Sequence, residues 1–228
     1  MTVLTQLQRL KLIGCSLSEP IPENPTEHLI DIEKTFLDVL TSFPFMQDHS
    51  RMMTVLLSWV EVHGWCLNSA KMLKMLQSPE YKNAETSYLA LTAAFATGCK
   101  LKNWIPLLKQ LEPSALREFP ALTDNNAIQY RGKEQWAEKF DFQIAKGSLA
   151  TNPKWVMSRK ELAQVNTQYK NRLLYGADWR ADVVTAIQMG ATRPSTIVKW
   201  IGISYEPAHR IFEDLKDAGL IRDERLPP

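Results

Sequence analysis

The stretch Gly202-Ile203-Ser204-Tyr205-Glu206-Pro207-Ala208-His209-Arg210-Ile211-Phe212-Glu213-Asp214-Leu215, closing on Ala218-Gly219-Leu220-Ile221, decides how the chain is read. Ala208, Phe212 and Leu215, with Ile211 in part, recur at helical spacing and define an inward stripe. Ser204 stands at the cap position, and Gly202 ahead of it supplies a turn, because a left-handed backbone there has no steric cost. Working outward, two short helices precede this one. The first runs from a cap at Asp178 to about Met189, turns Ala181, Val184 and Ile187 inward, and ends at Gly190. The second starts at Thr192 or Arg193 and carries Pro194 in its first turn, where the missing N–H costs little. It extends to Ile201, with Ile197, Val198 and Ile201 on its core face. Asp178 to Ile221 therefore reads as three short helices with a tight turn between the second and third, and the small Ala208 would let those two cross closely.

An apolar residue followed by Ser, five mostly polar or small positions, an Arg, and then Leu-x-x-Ala-Gly-Leu-Ile is similar to the winged helix-turn-helix transcription regulators of the arsenic-repressor and multiple-antibiotic-resistance-repressor type. The resemblance covers the C-terminal fifth of the chain only. It implies a double-stranded DNA partner, with the third helix in the major groove. Ser204, Tyr205, Glu206, His209 and Arg210 would then face the duplex. Arg210 would bond guanine in bidentate fashion, Glu206 would accept from cytosine, and Tyr205 would touch a thymine methyl or a phosphate. Arg193, Ser195, Thr196 and Lys199 on the second helix would hold phosphates and set the register. Plain alternatives stand beside these roles. A carboxylate at Glu206 stabilises a first helical turn in any case, and His209 and Arg210 make an ordinary solvated face.

Two features depart from the regulators. The third helix is acidic, with Glu206, Glu213, Asp214 and Asp217 against Arg210 and Lys216. Only Leu226-Pro227-Pro228 follow Arg222-Asp223-Glu224-Arg225, and prolines are poor strand residues, so a truncated wing is expected after Leu220-Ile221 begins its first strand. DNA binding would be weak per monomer and would need a homodimer or a partner. A protein–protein adaptor, in which the module docks a protein, is the alternative.

The rest of the chain predicts helices as well, giving an all-α fold with little or no β structure. Residues 1–152 form an N-terminal helical bundle, 153–177 a linker helix, and 178–228 the helix-turn-helix module. Pro20, Pro22 and Pro25 mark residues 16–26 as a loop. Helices are expected over Glu27–Ser42, ended by Phe43-Pro44, over His49–His63 with Gly64 as the stop, from an Asn68 cap onward, over Ala84–Thr97, and over Asn103–Leu111. Asn68, Leu73, Lys74 and Leu76 recur 35 positions later as Asn103, Leu108, Lys109 and Leu111, which reads as two similar helical hairpins in one bundle. Residues 112–132, with Pro113 and Pro120, look irregular. Trp136, Phe140 and Ile144 are four apart and suggest a helix over Lys133–Lys146. Ser158 and Glu161 form the clearest capping box, with Met157 placed to staple Leu162, and Leu162, Val165, Tyr169 and Leu173 form the stripe of the linker helix up to Gly176.

Composition narrows the function classes. The chain is 45% hydrophobic and 23% charged, too apolar for disorder, and holds no apolar run long enough to span a membrane. Three cysteines, Cys15, Cys66 and Cys99, are too few and odd in number for a disulfide framework, so a cytoplasmic setting is expected. The net charge of +2 leaves no strong electrostatic footprint for nucleic acid, although residues 153–228 hold 12 Lys/Arg against 9 Asp/Glu. No phosphate-binding glycine loop, dinucleotide fingerprint, His-Glu-x-x-His or Gly-x-Ser-x-Gly occurs, so no catalytic residue, cofactor or enzyme activity is expected. His63, Cys66 and Cys99 lack the paired spacing of structural zinc, and buried free thiols are the simpler expectation.

Overall fold

A computed structural model describes residues 4–25, 30–42, 46, 50–111, 125–140 and 142–221. The described residues are all-α. The helices are α1 (Gln6–Leu12), α2 (Ile32–Leu40), α3 (Ser50–His63), α4 (Ser69–Leu76), α5 (Ser87–Gly98), α6 (Ile105–Gln110), α7 (Asn125–Arg131), α8 (Gln135–Glu138), α9 (Arg159–Val165), α10 (Thr167–Tyr175), α11 (Trp179–Gln188), α12 (Pro194–Ile201) and α13 (Tyr205–Asp217). None among the described residues is long and apolar enough to cross a membrane.

Caps set most of the boundaries. Asp31, Asn68, Ser158 and Asp178 each accept a backbone N–H from the first turn of the helix they precede. The expected start of the first bundle helix, 27–29, lies outside the described residues, as do Phe43-Pro44, His49, 112–124 and the wing residues 222–228. Leu220 and Ile221 form a bend rather than the start of a strand. Helix α1 was not among the expected helices. It rests on a second capping box, in which the Thr5 hydroxyl accepts from Gln8 N and the Gln8 side chain accepts from Thr5 N.

Three expectations are corrected. Among the described residues of Lys133–Lys146, only α8 is helical. Elsewhere Lys133 and Ala145 form an isolated antiparallel bridge, which draws Phe142 and Ile144 into the core. Asn103 does not repeat the role of Asn68: it donates across to Gly64 O and Leu67 O, so the two hairpins differ in detail. The stretch 153–177 is not one linker helix. Asn166 takes an extended backbone, donates to Leu12 O at 3.1 Å and caps α10 by accepting from Tyr169 N, so the helical phase is reset there. Leu162 and Tyr169 stay buried, but Leu173 turns out to solvent.

The apolar side chains fall into two clusters. The larger joins α1 through α6 and reaches Val156, Leu162 and Tyr169. The smaller belongs to α11, α12 and α13, with Val183, Ala186, Ile197, Ala208 and Leu215 at its centre. Tyr169 on the supposed linker thus packs with the N-terminal body. Gly64 works by close approach: a Cβ there would lie 2.8 Å from Leu101 Cδ1, and its carbonyl accepts from Trp104 Nε1 at 2.9 Å.

Candidate nucleic-acid interface and the charged seam behind it

Gly202 has φ +71° and ψ 10°, the left-handed turn expected between α12 and α13. Its N–H closes α12 by donating to Val198 O at 2.9 Å. Ser204 has the extended backbone of a cap, yet its hydroxyl caps nothing. The third helical residue is Pro207, which has no N–H to donate, so the sequence itself removes the usual partner. Ala208, Ile211, Phe212 and Leu215 are buried, which leaves the other side of α13 to solvent.

The structure puts the nine sequence-identified residues on α12, the turn and α13. Arg193, Ser195, Lys199, Ser204, Tyr205, Glu206, His209 and Arg210 are exposed, and Thr196 is half-buried. Tyr205 and His209 lie one turn apart with ring centroids 5.7 Å from each other. Arg193, Lys199 and Arg210 make no ion pair with any described residue. Among the acids of α13, Asp214 is neutralised by Arg180 of α11 at 2.9 Å. Lys199 stands apart from the others. It sits in the last turn of α12 and lines a cleft against the N-terminal body, together with Trp200.

Between the two apolar clusters lies a seam of buried polar and charged side chains. Helix α10 contributes Gln168, Asn171 and Arg172, one face at three- and four-residue spacing, and α11 answers with Asp182 and Thr185. Asn171 Nδ2 donates to Thr185 Oγ1 at 2.9 Å, and Gln168 Nε2 donates to Asp182 Oδ1 at 2.7 Å. Arg172 is fully buried. Its guanidinium donates to both oxygens of Glu33, to Asp182 Oδ1 at 2.8 Å and to Cys66 O at 2.6 Å. Lys71 of α4 joins from the other side, its Nζ 2.5 Å from Asp31, 3.4 Å from Glu33 and 3.7 Å from Asp182. Three carboxylates therefore surround two cations in a site nearly closed to water.

The electrostatics follow from that crowding. Burial pushes the Glu33 carboxyl up, but Arg172 and Lys71 outweigh it and hold Glu33 down to about 2. Burial alone would pull Lys71 down, yet Asp182, Asp31 and Glu33 together lift it above its ordinary value. Asp31 is raised, first by burial and then by Glu33 and Asp182, against the pull of Lys71. Sequence reading missed this constellation because each member looks like an ordinary surface charge.

His63, buried in the N-terminal body, is a structural tie. Its Nε2 donates to Met157 O at 2.8 Å, an oxygen that can only accept, so Nδ1 accepts from the Tyr169 hydroxyl at 2.8 Å. Both ring nitrogens are thereby used within the core. Burial pushes His63 down to about 4 and raises the Cys66 thiol to about 12. His63 therefore has no ring nitrogen left free.

No protein-family model, curated protein or solved structure matches the chain.

Proposed function

We propose that the chain binds double-stranded DNA through α12, the Gly202 turn and α13, and acts as a transcription regulator. One observation carries the reading: Tyr205, Glu206, His209 and Arg210 share an exposed face over the first turns of a helix whose opposite face is locked into a core. Arg193, at the N-terminus of α12, adds an unpaired cation placed for a phosphate. The Arg180–Asp214 pair supports the same reading, because it cancels one of the carboxylates that would repel a duplex. The N-terminal body would sense a signal, recruit a partner or dimerise, and the seam would fix the module against it.

Anisotropy of a labelled random-sequence duplex, titrated at several salt concentrations, tests the proposal. Affinity should fall with rising salt, and Arg193→Ala should lower the log–log slope by about 1. Arg210→Ala should weaken binding to a selected sequence by roughly tenfold or more. Affinity and slope unchanged in both variants would refute it. A second reading, a protein-docking module, draws on Tyr205 and Leu220, which are 57% and 63% exposed. A stoichiometric protein partner that co-purifies without nucleic acid, together with salt-independent behaviour, would favour that reading instead.

A further inference from the structure

A cleft of 420 Å³ opens where α2 and α4 of the N-terminal body meet α11 and α12, with Lys71 and Asp31 at its floor. Its volume is that of a small-molecule site. Tyr81, Trp179 and Trp200 line its walls. Four lysines line it too, but they are not equivalent. Lys34 is neutralised by Asp38 and Glu80, and Lys71 faces Asp31. Lys74 on α4 and Lys199 on α12 are exposed and make no ion pair among the described residues. The cleft thus offers two unneutralised ammonium groups, one from each side, beside aromatic walls.

At the floor, Lys71 is held by Asp31 at 2.5 Å, with Glu33 at 3.4 Å and Asp182 at 3.7 Å, so its charge is already met inside the protein.

We propose that this cleft binds a phosphate monoester carrying a planar ring, of the size and chemistry of a nucleoside monophosphate. A phosphate monoester carries a charge of about −1.5 to −2 at neutral pH, which matches the two free ammonium groups. Lysine binds phosphate as a compact point charge and needs no fork geometry. The ring has Trp179 and Trp200 to stack against. Asp31 and Glu80 do not repel the anion strongly, because each is already paired with a lysine. Bound this way, the ligand ties α4 to α12 across the body–module boundary. The proposal does not depend on DNA binding, since Lys74 belongs to the N-terminal body.

The test uses the full chain titrated with AMP, GMP and CMP, read by tryptophan fluorescence and by thermal shift, with adenosine and inorganic phosphate as half-ligands. At least one nucleotide should saturate in the sub-millimolar range, with each half-ligand about tenfold weaker or worse. Lys74→Ala and Lys199→Ala should each weaken that nucleotide by roughly tenfold. Both side chains are exposed and unpaired, so the fold should survive, which an unchanged melting temperature without ligand will verify. Failure of all three nucleotides to saturate by about 10 mM, well above the Kd that two charge-assisted bonds should give, would overturn the proposal. So would unchanged affinity in the Lys74→Ala/Lys199→Ala double variant, or inorganic phosphate binding as tightly as the nucleotides. Absence of DNA binding by the unmodified chain, with the Lys74 effect intact, would refute the DNA reading alone.

Discussion

Replacing Arg172 with methionine removes every bond the guanidinium makes to Glu33, Asp182 and Cys66 O while keeping much of the stem's volume. Lys71 is then the single cation against Asp31, Glu33 and Asp182. Breaking a buried pair by removing one partner costs about 3–5 kcal/mol, because the charge left behind stays desolvated. The Glu33 carboxyl points the same way, with Lys71 and the Asn68 N–H sharing in holding it down. It is held at about 2 against an ordinary 4.5, and that difference at about 1.36 kcal/mol per pH unit is about 3 kcal/mol. For a chain of this size the melting temperature should drop by roughly 10 °C, taking about 2–4 °C per kcal/mol. Urea unfolding and calorimetry at pH 7 measure both quantities. The decisive arm is a double-mutant cycle with Glu33→Leu. Arg172→Met should cost less in a chain that already lacks the Glu33 carboxylate, since only Asp182 is then left without its guanidinium bond. A loss below about 1 kcal/mol for Arg172→Met, or additivity within about 0.5 kcal/mol, would refute the reasoning.

The remaining predictions concern His63 and Gly202. The folded pKa of His63, about 4, lies below the ordinary 6.5, so the unfolded chain takes up its proton first. Its contribution is therefore intact above pH 6.5 and lost as pH falls to about 4, an amount of about 3 kcal/mol at 1.36 kcal/mol per unit. Glu33, also depressed, keeps its contribution above 4.5 and loses it toward 2, so the two windows separate. His63→Gln should flatten the urea-derived stability profile between pH 6.5 and 4.5, and profiles parallel to the parent's would contradict the assignment. Gly202→Ala should cost about 1 kcal/mol from backbone strain alone, since φ is +71° and nothing lies within 4 Å of the added Cβ. Denaturant midpoints equal to the parent's would rule that out.

Local signals in the sequence carried the helices, and long-range ones did not. The Asn68, Ser158 and Asp178 caps, Pro194 in a first turn and the Gly202 turn all appear where side-chain chemistry demands them. The Thr5–Gln8 capping box is a local signal of the same kind, with Leu4, Leu7 and Leu10 at three-residue spacing around it. Trp136, Phe140 and Ile144 had that spacing and still did not form a helix, since the Lys133–Ala145 bridge decides their conformation from a distance. Asn166 looked like one more polar position within a continuous helix; its cap on Tyr169 N and its bond to Leu12 O, 154 residues away, mark the break between the two helices. The seam was the least legible of all. Glu33 and Arg172 are 139 positions apart, and nothing local distinguishes them from charges that face water. On the α12–α13 face the situation is reversed: exposure of the candidate residues followed from the inward stripe alone.

The order of synthesis gives the seam a meaning in time. Asp31, Glu33 and Lys71 are made in the first third of the chain, Arg172 and Asp182 only in its last quarter. Until the latter emerge, α2 and α4 hold two carboxylates against one ammonium at a place destined to be dry, and water is the better host for them. The N-terminal helices therefore cannot close this side of their packing ahead of α10 and α11. The late helices bring Arg172 and Asp182 together, so the net charge of the seam stays the same while the Glu33 carboxylate gains its hydrogen-bond donors, and a nascent chain halted before Arg172 would keep Glu33 in water.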